Sequence, residues 1–255
     1  MNNFLLNPEI ADMIQDLNTI FSEFGIDYYV VGAIARDIHL SADSTAAAKR
    51  KTDDVDLAIS INDAGQYEAL KQKLFATGNF EPHPTEAIKV FYKGGIELDL
   101  LPFGEIEGPD RAITFTEPSL FIINMPGFRE IYPFVEELQI GGQKIKVCTL
   151  EGIVLLKLIS NNDRPQRTHD ITDIEHIIQV YFDLYATRIY EDHFDTMDLY
   201  DTGRMNYLQL VCARVIGRKL NQLLETSAEL RVRIQQILSR RPTALWEAMY
   251  DGMND

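Results

Sequence analysis

Long apolar runs, cysteine and positive charge are all scarce in this 255-residue chain, and each scarcity removes a class of protein. No segment reaches 18 consecutive apolar residues, so no transmembrane helix is expected and a membrane is not a partner. The opening stretch MNNFLLNPEIADMIQDL has neither a basic region nor a long apolar core and does not read as a signal peptide. Cys148 and Cys212 form no ligand spacing; the expectation is a reduced, buried pair in a cytoplasmic protein, not a disulfide or a zinc site. Lys and Arg number 24 against 39 Asp and Glu, a net charge of −15, which argues against broad attraction to nucleic acid or anionic membrane while leaving room for a local basic groove.

What remains is ordinary globular composition, 45% apolar and 25% charged, long enough for one large domain or two smaller ones. Apolar residues at Ile10, Met13, Ile14, Leu17, Ile20, Phe21 and Phe24 make a helical stripe. DYYVVG (27–32) reads as a short buried strand, with a helix opening at once in AIARDIHLS (33–41). After the connector ADSTAAAKRK come the strand VDLAISI (55–61) and a helix over 63–78 with Asp63 as its cap. AIKVFYK, Gly94-Gly95 and IELDLLPF read as a hairpin. Further strands are expected at EIYPFVEELQI (130–140) and QKIKVCT (143–149), joined by Gly141-Gly142. From Thr149 onward long helical patterns dominate. The expected fold is α+β: a mixed sheet with helices in 1–148, then a helical domain in 149–255.

The chemistry centres on KTDDVDLAI (51–59). Successive strand residues face opposite ways, so Asp54 and Asp56 share one face while Val55 and Leu57 enter a core, and Asp53 turns to solvent or caps backbone at the strand entrance. Two carboxylates roughly 6 to 7 Å apart on one strand face can share a divalent cation. Oxygen-only ligands favour Mg2+ or Mn2+ over zinc. IELDLLPF adds Glu97 and Asp99 on one face, with Asp99 the deeper. A solvated strand face is the plain alternative for such a motif standing alone. Upstream, YVVGAIARD is a strand, a glycine turn and a helix start, a geometry that offers backbone N–H groups to phosphate; Gly32 permits close approach and Arg36 can donate to phosphate oxygens.

This ordered set resembles the DNA-polymerase-β-like nucleotidyltransferase superfamily, with Gly32 and Ala33 at the turn, Asp54 and Asp56 as paired acids and Asp99 as the third. Ala33 stands where the family has a second Gly or Ser. The GxxxRD pattern also resembles the tRNA-nucleotidyltransferase branch, whereas LEGIVLLKLISNNDRPQRTHDITDI is similar to the AbiEii-type toxin and minor nucleotidyltransferase branch. That likeness implies that Lys157, with Asp170 or Asp173, helps hold the nucleotide and that the helical domain completes its cleft. It further implies two Mg2+ (or Mn2+) on Asp54, Asp56 and Asp99, a nucleoside triphosphate donor, a tRNA or protein acceptor hydroxyl, and an antitoxin-type partner. The other reading is a non-catalytic nucleotide-binding or interaction module that keeps the fold.

Other residues have plainer readings. Lys157 interrupts IVLLKLI, where a lysine either snorkels from a core helix or meets phosphate. Arg164 and Arg167 lie in a connector, and His169 and His176 read as surface or satisfied core residues. The basic stretches ARVIGRKL and RVRIQQILSRR fit helix-dipole preference. Phe121, Tyr132 and Phe134 are expected in the core.

Overall fold

The computed structural model describes residues 8–41, 54–140 and 143–255. The connector 42–51, Asp53 and the Gly141-Gly142 turn lie outside the described residues. The chain divides into two compact units, with the change from one to the other between Thr149 and Leu150.

In the first unit, helix α1 (Pro8–Phe24) buries the expected stripe, with Met13 and Leu17 fully inaccessible. It leads to strand β1 (Tyr28–Val31), buried along its whole length, and helix α2 (Gly32–Ser41) starts without a linker. Strand β2 (Asp54–Ser60) and helix α3 (Ala64–Ala76) follow; Asp63 caps α3 by accepting from the Gln66 N–H at 2.9 Å. Strands β3 (Phe80–Pro82), β4 (Lys89–Tyr92) and β5 (Ile96–Phe103) come next, and β4 and β5 form the expected antiparallel hairpin. Strands β6 (Ala112–Phe115) and β7 (Phe121–Asn124) make a separate two-stranded sheet. A short helix α4 (Phe128–Ile131) precedes strands β8 (Glu136–Ile140) and β9 (Gln143–Val147).

The main sheet has seven strands in the order β3-β4-β5-β2-β1-β9-β8. It is mixed: β1 runs antiparallel to β2 and parallel to β9, whereas β2 and β5 are parallel. The fold is thus α+β, a mixed sheet with helices followed by a C-terminal set of helices. Central strands on such a sheet are covered on both sides, so Leu57, Ala58, Ile59, Leu98 and Leu100 are all at 0% exposure.

The strand expected over 130–140 forms only in its second half. Phe128–Ile131 is helical, Tyr132–Phe134 is a 3-10 turn, and pairing begins at Glu136. Pro133 has no N–H to give a ladder and its fixed φ suits the turn. The Tyr132 hydroxyl donates to Asp27, and its ring lies 5.5 Å from Phe103, so tertiary contacts hold this segment in place. Phe121, Tyr132 and Phe134 are half-buried, less enclosed than expected.

The second unit comprises α5 (Leu150–Asp163), α6 (Thr168–Asp192), a 3-10 segment (Phe194–Leu199), α7 (Tyr207–Leu223), α8 (Ala228–Ser239) and α9 (Ala244–Gly252). Helix α6 kinks at Tyr185, where φ −128 and ψ 22 leave the helical region. Helices α7 and α9 meet backbone to backbone: a Cβ on Gly217 would stand 2.1 Å from the Met249 carbonyl oxygen. Cys148 and Cys212 are buried and form no disulfide. No described helix is long and apolar enough to cross a membrane.

Candidate active site

The acidic strand starts as alternation demands. Asp54 is exposed and Asp56 half-buried, while Val55 and Leu57 are at 2% and 0%. Parallel pairing sets Asp54 beside Glu97 and Asp56 beside Asp99. The β4–β5 hairpin then sets Phe91 opposite Glu97 and Lys89 opposite Asp99. Register partners on neighbouring strands share a face, about 4.8 Å apart. One face of the sheet therefore carries the row Asp56, Asp99, Lys89 and, two residues toward the starts of β2 and β5 and the end of β4, the row Asp54, Glu97, Phe91.

On its other flank Asp56 is in register with Val31, the residue before the α2 turn. Gly32 opens α2 with φ +68, and a Cβ there would stand 2.0 Å from the Asp56 Oδ2. Glycine is demanded twice over, by a left-handed backbone and by a carboxylate lying against it. That carboxylate consequently sits at the start of a ten-residue helix, where unsatisfied N–H groups favour negative charge. The turn and the first acidic strand, read separately in the sequence, are one structure. Ala33 follows at the turn, half-buried.

Arg36 is placed differently from an open anion-binding donor. It is 3% exposed, and its guanidinium meets the adjacent Asp37 carboxylate at 2.9 Å.

Asp99 is the strained member of the face. Its Oδ1 is buried and has no hydrogen-bond partner. Burial raises the carboxyl pKa to about 6, with Lys89 opposing the rise and Glu97, Glu86 and Asp54 adding to it. Lys89 Nζ is hydrogen-bonded to Glu97 and stands 3.9 Å from both Asp99 Oδ1 and Glu86 Oε2. Partial burial pulls the Lys89 pKa down, but these carboxylates outweigh it and the net shift is upward. Lys89 was not singled out from sequence. Counting back from the Gly94-Gly95 turn, Tyr92 against Ile96, would have put it opposite Asp99.

A divalent cation is the group this face would be asked to hold. Among the described residues, no three His, Cys, Asp or Glu side chains stand gathered as a ready metal cluster. The donor chemistry nevertheless fits Mg2+ or Mn2+: all-oxygen ligands, Asp56 and Asp99 on adjacent strands, and one buried oxygen of Asp99 still without a hydrogen bond.

In the helical unit, Lys157 of α5 meets both aspartates of α6 that the sequence left as alternatives. Its Nζ lies 3.3 Å from Asp170 Oδ1 and 2.7 Å from Asp173 Oδ2. Asp170 is 1% exposed and also receives Arg167 Nε at 3.2 Å, with His169 Nε2 at 3.6 Å. The lysine thus neither snorkels freely nor stands bare for phosphate; it is the centre of a cross-helix ion cluster.

No protein-family model and no curated protein matches the chain by sequence. Among solved structures, the solution structure of the antibiotic-resistance factor ANT(2'')-Ia is 17% identical, covering 84% of this chain and 94% of that one, with a TM-score of 0.40. A nucleotidyltransferase-like antigenic protein from Paracoccidioides brasiliensis is 19% identical over 95% of this chain and 93% of its own, with a TM-score of 0.43. ANT(2")-Ia in complex with adenylyl-2"-tobramycin is 17% identical over 70% and 91%, with a TM-score of 0.41. These are distant likenesses, and the site geometry stands independently of them.

Proposed function

We propose that the chain is a metal-dependent nucleotidyltransferase that moves a nucleoside monophosphate from a nucleoside triphosphate to an acceptor hydroxyl. The observation that carries the reading is the apposition of the Gly32 turn and Asp56, with Asp99 in register on the next strand. A solvated acidic strand has no need of a left-handed glycine against its carboxylate.

In this reading Asp56 and Asp99, with Asp54 at the exposed end, would hold Mg2+ or Mn2+. The bound cation would supply charge neutralisation for the triphosphate and lower the pKa of a coordinated oxygen. The chain's own work is positioning. The start of α2, at Gly32 and Ala33, offers backbone N–H groups to the phosphate oxygens. The acceptor oxygen attacks the α-phosphorus, a P–O bond forms, and the bond to pyrophosphate breaks with that group as the leaving anion. The acceptor's proton leaves to a carboxylate of this face.

Lys157 and Asp170 enter as nucleotide contacts, and the AbiEii-type branch, a tRNA or protein acceptor and an antitoxin-type partner as its setting, through sequence resemblance alone; a cytoplasmic location rests on the cysteine content. A non-catalytic nucleotide-binding module is the second reading, favoured by Ala33 at the turn and by Lys89 already placed among the carboxylates. Incubation with each labelled nucleoside triphosphate, Mn2+, total RNA and total protein separates the two. Label entering a macromolecular fraction supports transfer and names the acceptor class; nucleotide binding with no transfer to either fraction supports the module.

A further inference from the structure

Lys89 is the one described cation in register with the acidic face, and its contacts are unequal. It is hydrogen-bonded to Glu97 but stays 3.9 Å from Asp99 Oδ1, a distance that supplies charge without a hydrogen bond. The Asp99 oxygen is therefore partly neutralised and still has a coordination position open. Glu86 Oε2, also 3.9 Å from the ammonium, offers a second anchor. A lysine ammonium is a compact charge on a flexible stem, so it can shift between such anchors without moving the strand. A cross-strand pair serving only the hairpin would need Glu97 alone.

We infer that Lys89 is a stand-in cation: it offsets the Asp99 charge and positions that carboxylate in the metal-free protein, and withdraws onto Glu97 and Glu86 when a divalent cation binds. This rests on the proposed reading of the carboxylates as metal ligands. Lys89 is a positioning residue on this account, because it acts through Asp99 and touches no substrate.

The test is calorimetric titration of the full chain with Mn2+ alone, in wild type, Lys89→Met, Lys89→Gln, Lys89→Arg, Asp99→Asn and the Lys89→Met/Asp99→Asn double variant, with metal-free melts alongside. Removing a competing positive charge should tighten Mn2+ binding about tenfold in Lys89→Met and Lys89→Gln, the factor that about 1.4 kcal/mol represents. Lys89→Arg should bind as wild type does, and the gain should vanish in the double variant because it passes through Asp99. Equal or weaker Mn2+ binding in both neutral variants, with Asp99→Asn still weakened, would overturn the stand-in role and leave the metal site standing. A wild type that binds no Mn2+, or an Asp99→Asn variant that binds it unchanged, would instead remove the metal-site reading on which the inference depends. Having both Met and Gln at position 89 guards against one variant misfolding.

Discussion

Asp99→Asn should make the metal-free protein more stable while removing its activity. Burial disfavours the charge of the Asp99 carboxyl and pushes its pKa up to about 6 in the folded chain, from an ordinary value of 3.8. A raised folded pKa means the native state binds this proton more tightly than the unfolded state does. The stabilising contribution is then complete below about pH 4 and is lost as pH rises through about 6. At pH 8 the ionised group costs at most about 3 kcal/mol, from 1.36 kcal/mol per unit. The side chain is 19% exposed, and solvent screening brings the expected cost to about 1–2 kcal/mol. Asparagine keeps the shape and removes the charge, at a position where Oδ1 already lacks a hydrogen bond. Urea melts in chelator should show the variant stabilised by that amount at pH 8 and by less at pH 5. A variant less stable than wild type at pH 8 would refute the reasoning, because Asp99 would then be a net structural partner of Lys89.

Gly32→Ala should cost about 1–3 kcal/mol and abolish nucleotide transfer together, since the added Cβ needs both a left-handed φ and the space of the Asp56 carboxylate; an alanine variant unchanged in urea melts and in transfer would contradict the apposition. Lys157→Met leaves Asp170 buried with fewer cations around it, so the helical unit should lose about 1–3 kcal/mol by chemical denaturation, and a silent change would place the cluster among dispensable surface pairs. Gly217→Ala forces α7 and α9 apart at the Met249 carbonyl and should destabilise by about 1–3 kcal/mol, measurable as a lower melting midpoint, whereas an unchanged midpoint would deny the close crossing.

The sequence was informative where physics is local. Alternation placed Val55 and Leu57 inside and left Asp54 and Asp56 outward, and the Asp63 cap and the β4–β5 hairpin followed from residue type and turn glycines. Pairing between distant segments was less legible. That Asp56 stands beside Asp99 depends on β2 running parallel to β5, with α3, β3 and β4 between them in the chain, and no periodicity encodes that register. Lys89 went unnoticed for the same reason, because its importance arises only from the row it completes. Over 130–140 apolar and aromatic residues suggested a strand, but Pro133 and the tertiary contacts of Tyr132 won at its start. Residues 104–129 raised no expectation of secondary structure, and the β6–β7 hairpin there has only short strands of four residues to announce it. Arg36, read as a phosphate donor from its place one turn into a helix, is buried with its guanidinium against Asp37, a placement set by side-chain packing that linear spacing does not reveal.

The most direct test is transfer itself in wild type and Asp56→Asn. With each nucleoside triphosphate, Mn2+ and cell extract as acceptor source, pyrophosphate release and macromolecular labelling should occur together in wild type. Both should fall to background in Asp56→Asn while its unfolding free energy from urea melts stays within about 1 kcal/mol of wild type, as expected for a half-buried strand position. Labelling that persists in a folded Asp56→Asn protein would contradict the assignment of this strand as the catalytic one.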